Sequence, residues 1–428
     1  RAGRAALRGA GPVISALYLH IPFCTSRCAY CDFPTAACHD DAVMDAYADA
    51  LSLQLRRASR AGLLGGVRTI YIGGGTPTHL GSRRLNSLVY LVSLSVNLEQ
   101  VAEFTVEANP ESIDAALVKD LYALGVSRVS IGAQSFDDEV LRAYGRPHSA
   151  ADIQRAVEAV KQRQLSWSLD LICGGPGQSM GSWRSSVQRA VELGARHVSI
   201  YPLTVEEGTP LAARIAAGEW EGPGEDDEAA MMEAAGSLLE AAGLQRYEVA
   251  SYAAPGAQSQ HNQAYWDGSE YLGLGCGASS MLSPQSWQAA VQAGIFGQLQ
   301  DASGLACGAD QAQQLLASPG SACSRVRVQA AFDTSAFSES LGRPAVELEL
   351  MDEREALLED CMLAFRRSVG LPAQLRQRAQ AAEPRLGEVL ARLQDEGLIA
   401  PGAAGSLVPT QRGWLMGNEV FGAIWGLA

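Results

Sequence analysis

The sequence predicts an α/β fold: a partial (β/α)6 barrel followed by a small, mostly helical C-terminal domain. Three observations carry this. Strand-like and helical runs alternate over 13–250, the strand-like runs number six, and chemistry-bearing residues gather where those runs end. Short runs rich in β-branched and apolar residues, returned each time by a helix, imply parallel strands with the helices outside. In such folds functional residues collect at the carboxyl ends of the strands.

The strand-like runs are Ile14–Ile21, Val67–Gly73, Glu103–Ala108, Arg128–Ala133, Ser166–Ile172 and Val198–Leu203. Between them lie amphipathic stretches at Ala42–Ala61, Ile113–Leu124, Ala150–Arg163 and Met180–Leu193. Residues 251–283, rich in Gly, Ser and aromatics, continue this core. Residues 284–343 are heavy in Ala, Gln, Ser and Gly with little periodicity, and read as a poorly ordered, partly helical insertion. From 344 to 428 helical periodicity returns, with helices at Glu353–Val369, Arg385–Gly397 and Gln411–Trp425 and a β-like Ser406–Pro409. That order resembles a winged helix. The segment carries no basic cluster, so packing or a lid is its expected role.

Composition is that of a globular chain, with 47% hydrophobic and 19% charged residues, which excludes wholesale disorder. A net charge of −14 argues against nucleic acid or an anionic membrane as partner. The longest apolar stretch, Leu85–Leu98, is broken by Ser and Asn and is too short to span a bilayer. Nine Cys without a regular framework read as reduced thiols plus a metal site, hence a reducing compartment. The first twelve residues carry Arg1, Arg4 and Arg8 and no acidic residue, so they read equally as a disordered tail or the stub of an organelle-targeting segment. A cytoplasmic or an organellar location (mitochondrion or plastid) is therefore expected.

The run Leu17–Thr35, LYLHIPFCTSRCAYCDFPT, places Cys24, Cys28 and Cys31 in a C-x3-C-x2-C spacing just after a strand. Three thiolates this close can hold three irons of a [4Fe–4S] cluster, which needs four protein ligands when fully ligated. One iron then stays open to a small molecule. A zinc knuckle or a disulfide loop is the competing reading. Zinc prefers four N/S ligands, and only the loosely spaced Cys38 and His39 stand nearby.

YLHIPFC…C.YC resembles the radical S-adenosylmethionine (SAM) superfamily, in its branch related to oxygen-independent coproporphyrinogen III oxidase. The resemblance implies a [4Fe–4S] cluster on Cys24, Cys28 and Cys31 and SAM chelated to the open iron. It also implies that Gly74, Gly75 and Thr76 of GGGTP face the methionyl amine. Glycine suits this place because it leaves no Cβ in the way. Glu107 (VEANPE), a charge in an apolar strand, would offset the ammonium. Arg146 (GRPH) would pair bidentately with the carboxylate, Gln134 (GAQSF) and Asp170 (LDLI) would bind the ribose, and Tyr18 and Tyr30 would flank cluster and cofactor.

Within this branch two functions compete: the oxidase, and heme chaperones of the HemW type, which resemble it without the decarboxylase activity. In the decarboxylases a fourth Cys follows two residues after the third. Here Phe33 stands there, which is the chaperone pattern and speaks against oxidase activity; no residue is assigned a catalytic role. His261-Asn262-Gln263-Ala264-Tyr265-Trp266 matches HNxxYW, the chaperones' heme motif. His261 offers an imidazole for heme iron, and Tyr265 and Trp266 offer flat apolar surface. The sequence departs from the family at Gln260, where Arg is expected, at Cys173 in place of Tyr, and at Cys276 and Ser279 in place of Pro and His. Ser279 cannot be a second imidazole, which leaves Cys276 as a speculative thiolate ligand. The resemblance further implies heme as cargo, a heme-acceptor protein the sequence leaves unspecified, and an electron donor such as a flavodoxin or ferredoxin.

Overall fold

A computed structural model describes residues 14–222, 224–300, 306–307 and 323–428. The expected N-terminal tail, 1–12, lies outside them, as do 301–305 and 308–322 of the expected insertion. Six parallel strands run in chain order across one sheet: β1 (Ala16–Ile21), β2 (Thr69–Gly74), β3 (Glu103–Ala108), β4 (Arg128–Gln134), β5 (Ser166–Cys173) and β6 (His197–Pro202). Each falls within two residues of its predicted bounds. The returning helices are Asp41–Arg60, Gly81–Ser95, Ala115–Ala123, Ala150–Lys161 and Met180–Glu192, with Glu225–Ala241 following β6.

Side chains alternate across these strands, and the alternation decides where the site is. Val129, Ile131 and Ala133 of β4, Leu169, Leu171 and Cys173 of β5, and Val198 and Ile200 of β6 pack into one apolar layer with the helices. Ile70, Ile72, Phe104 and Val106 do the same for β2 and β3. The opposite positions are polar: Ser130, Ser168, Asp170, His197 and Ser199 all line one cavity with Tyr71 and Glu107. Strands β2 and β6 are four spacings apart, on the order of 19 Å across a flat sheet. That both border one cavity shows the sheet to be concave, as the partial barrel requires. Among the described residues its two edges do not pair with each other.

The sheet extends beyond the six strands. After β6, β7 (Ser251–Ala253) pairs antiparallel to it. Before β1 in the sheet come β8 (Tyr271–Leu274), parallel to β1, then β9 (Ser279–Leu282), β10 (Cys323–Ala330) and β11 (Val346–Asp352), each antiparallel to its neighbour. This differs from the expected low-complexity insertion. The described parts of 284–343 form helix Pro284–Gln292, strand β10 and helix Thr334–Glu339. In β10, Val326 and Val328 point inward while Arg325, Arg327 and Gln329 alternate with them, so the strand is apolar on one face only.

The C-terminal region has its own apolar core, built on helices Glu353–Ala364, Ala373–Ala382, Arg385–Asp395 and Gly417–Trp425. Hairpin Ile399–Pro401 and Leu407–Pro409 supplies the wing of the expected winged-helix form. The single last helix that the sequence suggests is broken at Met416 into Gln411–Leu415 and Gly417–Trp425.

Candidate cofactor site

The inner faces of β2 to β6 and the loop after β1 enclose a cavity of about 400 Å³. Cys24 closes the two-residue strand Phe23–Cys24, and Cys28 and Cys31 follow in the turn beyond it. All three border the cavity, together with Phe33, which is 64% exposed. Each thiol has a polar neighbour: Thr76 Oγ1 donates to Cys24 Sγ at 3.6 Å, Arg146 Nη1 donates to Cys28 Sγ at 3.3 Å, and Thr35 Oγ1 lies 4.0 Å from Cys31 Sγ. Burial pushes the Cys24 thiol up to about 11 and raises Cys31 as well. Among the described residues no three His, Cys, Asp or Glu side chains converge on a single-ion site. A cubane takes each thiolate at a different iron, and three thiols on one cavity with a guanidinium beside Cys28 fit that need.

The glycine run at the end of β2 is shaped by close approach. A Cβ on Gly73 would come within 2.8 Å of Glu107 Oε2, and one on Gly75 within 2.9 Å of Cys24 Sγ. Gly74 has φ +117°, which an L side chain rarely adopts. Glu107 accepts from the Gly74 amide at 3.0 Å and from Tyr71 Oη at 2.6 Å. Burial pushes its carboxyl up to about 7; the Tyr71 bond opposes the rise and neighbouring Asp170 adds to it. Asp170 accepts from Ser130 Oγ at 3.2 Å and is likewise raised by burial. Gln134 ends β4 with φ 63°, a strained value for a residue other than glycine, at a register irregularity, and its side chain faces the cavity. Tyr30 borders the cavity with its ring edge-on to Tyr144.

Several expected contacts differ. Arg146 Nη2 donates to Asn109 Oδ1 at 2.7 Å and to Gly132 O at 2.8 Å. Both carboxylate-facing edges of a guanidinium use Nη2, so the bidentate grip predicted for Arg146 is not preset. Its buried Nε has no partner among the described residues. Tyr18 stands behind the cavity: its hydroxyl meets His20 Nδ1 at 2.8 Å, and His20 Nε2 meets Pro34 O at 2.9 Å, which fixes the cysteine loop. His261 departs furthest. Its ring is fully buried, with Nδ1 2.9 Å from Thr69 Oγ1 and Nε2 3.0 Å from Tyr265 Oη, and burial holds its pKa down to about 3. The open imidazole expected for iron is closed in this conformation. Asn262 faces the cavity, while Trp266 Nε1 donates to Glu248 at 3.2 Å. Cys276 is fully buried in the core, where burial lifts its thiol to about 12, and Ser279 Oγ bonds Gln329. The speculative thiolate role of Cys276 falls on that burial.

Sequence reasoning missed Asn109 and Tyr71. Asn109 Nδ2 donates to Thr76 Oγ1 at 2.9 Å while its Oδ1 accepts from Arg146, so one amide ties the glycine loop to the guanidinium. Its signal was an Asn before Pro two residues beyond Glu107 at a strand end. Tyr71, Ser130, Ser168 and Ser199 were signalled by period-two polarity inside apolar strands.

Residues 18–190 match the model of the Radical SAM superfamily. The chain is similar to the heme chaperone HemW of Lactococcus lactis, with 38% identity over 62% of this chain and 69% of that protein. It is similar to the heme chaperone HemW of Bacillus subtilis over nearly its whole length, with 30% identity over 96% of this chain and 98% of that protein. Its fold is similar to that of coproporphyrinogen III oxidase (HemN) from Escherichia coli, a radical SAM enzyme, with a TM-score of 0.73 at 20% identity, covering 97% of this chain and 90% of that one.

Proposed function

The chain belongs to the heme chaperone HemW family of radical SAM proteins, and on that footing we propose that it binds a [4Fe–4S] cluster and SAM and hands heme to an acceptor protein. The observation that carries the choice between chaperone and oxidase is Phe33. It stands exposed at the cavity rim where the oxidases place a fourth cysteine.

Cys24, Cys28 and Cys31 hold the cluster. When bound, the cluster supplies an open iron for SAM and an electron for its sulfonium. The chain's own residues prepare that place. Thr76 donates to the sulfur of Cys24 and Arg146 to that of Cys28, which sets a hydrogen-bond donor beside each. Gly74 and Gly75 clear room for the methionyl group. Glu107, held by Tyr71 and the Gly74 amide, meets the ammonium, and a cation at that point favours the ionised carboxyl that burial alone disfavours. Arg146, with Nη2 held by Asn109 and Gly132, offers the carboxylate its charge instead of a two-pronged grip. Asp170 and Gln134 face the ribose, and Tyr30 packs beside the cluster.

Heme goes to the HNxxYW segment. Ligation by His261 costs its bonds to Thr69 and Tyr265, about 1 kcal/mol each net, so the heme-loaded state differs from this one at helix Gln260–Trp266. No described helix is long and apolar enough to cross a membrane. A reducing compartment, the cytoplasm or an organelle interior, suits a three-thiolate cluster, and an electron donor of the flavodoxin or ferredoxin kind suits its reduction.

The test is an oxygen-free heme titration of the cluster-loaded protein beside a turnover assay with coproporphyrinogen III and SAM. A stoichiometric heme complex, weakened in His261→Ala, with no porphyrinogen consumed, is the expected result. Conversion of coproporphyrinogen without heme binding would establish the oxidase reading in its place.

A further inference from the structure

Helix Gln260–Trp266 closes the deep end of the cavity whose mouth the cysteine loop closes. Ser259 and Asn262 border the cavity there, beside Arg128 and His197 at the starts of β4 and β6. The helix is seated by Glu103 at the start of β3. One oxygen of Glu103 accepts from Ser259 Oγ at 3.0 Å and the His261 amide at 3.1 Å, and the other from the Gln260 amide at 3.0 Å. This seating turns the His261 ring into the barrel. The ring stacks on Tyr71 with centroids 5.1 Å apart and planes 26° apart. Tyr71 also meets the Tyr18 ring, with centroids 6.2 Å apart. In contact with both rings, Tyr71 directs its hydroxyl to Glu107 Oε1 at 2.6 Å, and Glu107 Oε2 meets the Gly74 amide at 3.0 Å.

We propose that His261 is a positioning residue for SAM: its ring fixes Tyr71, Tyr71 fixes Glu107, and Glu107 holds the ammonium. The proposal rests on the reading of Glu107 given above. It assigns the His of the heme motif a second task, carried by the flat ring where heme ligation would use a ring nitrogen. The two tasks separate by substitution. Phenylalanine keeps the ring and loses the nitrogens, alanine loses both, and Tyr71→Phe leaves His261 intact while removing the hydroxyl that holds Glu107.

The test is equilibrium dialysis of SAM against cluster-loaded wild type, His261→Phe, His261→Ala and Tyr71→Phe, without heme, scaled to the iron content of each sample. His261→Ala and Tyr71→Phe are expected to weaken SAM by about tenfold or more, the scale of a lost hydrogen bond to a charged group. His261→Phe should stay within about threefold of wild type. SAM affinity unchanged in His261→Ala, or as poor in His261→Phe as in His261→Ala, overturns the proposal. Should His261→Ala fail to fold, the remaining pair decides: retention in His261→Phe with loss in Tyr71→Phe supports it, and any other pattern overturns it. Cluster-loaded wild type that binds no SAM would instead remove the reading of Glu107, and this inference with it.

Discussion

At the scale of single residues, the site is a set of groups whose partners are already chosen. Glu107 is the sharpest case. Its carboxyl titrates near 7 because burial disfavours the charge, and the ammonium of SAM needs the charged form. SAM affinity should therefore rise as pH climbs toward 7, by up to about tenfold per unit, and turn down again where the methionyl ammonium itself deprotonates, at about pH 8. In Glu107→Gln that slope should vanish, which dialysis across pH 5.5 to 8.5 would show. The same shift has a stability sign. Between the unfolded value of 4.5 and the folded value of about 7, the ligand-free folded chain holds more protons than the unfolded one, so this group's contribution falls as pH rises through that window. Asn109→Ala removes the donor to Thr76 and the acceptor of Arg146 together. It should weaken SAM by about tenfold or more while the cluster's visible absorption persists. Absorption and affinity lost in parallel would place Asn109 in cluster assembly instead.

At the scale of elements, what the sequence revealed and what it hid have physical reasons. The parallel strands were legible because Val, Ile and Leu dominate them, as in Val106, Ile131 and Ile200, which face the helices. Helix Gly81–Ser95 was obscured by Ser and Asn on its outer face, and β10 by Arg325, Arg327 and Gln329, which alternate with the valines. The cysteine triad and glycine run were legible as spacing alone. The orientation of His261 was not, because it depends on Glu103, 158 positions earlier in the chain. On the proposed reading the helix that bears His261 links two ligands. Where the ring stacks on Tyr71 it is buried with both nitrogens engaged, so it must leave that place to ligate iron, and heme ligated by His261 and SAM at Glu107 should each weaken the other by the same factor. Titrating SAM with and without saturating heme measures that factor, and equal affinities would show heme to bind without moving His261. The glycine run adds a steric prediction. Gly75→Ala sets a methyl 2.7 Å from Phe23 O and 2.9 Å from Cys24 Sγ, and should cost about 1–3 kcal/mol and deplete the cluster, read by thermal unfolding and iron content.

At the scale of the whole molecule, the C-terminal domain is joined to the sheet by buried charge. Arg325 of β10 bonds Glu359 at 2.5 Å and Asp360 at 2.6 Å on helix Glu353–Ala364, and Arg327 also reaches Glu359. Glu359 is 3% exposed at its side chain, and Glu359→Ala takes one partner from each guanidinium, leaving Arg325 on Asp360 and Arg327 on Glu349. A loss of about 1–3 kcal/mol is expected, with protease sensitivity rising first in the C-terminal helices; a variant as resistant as wild type would show the junction to be carried by apolar contacts. Beneath all of this lies the cluster. Iron and acid-labile sulfide, counted after oxygen-free reconstitution, test it most directly. About four of each per chain, lost when Cys24, Cys28 or Cys31 becomes alanine, is the predicted result, and a colourless protein carrying zinc on those thiols would contradict it.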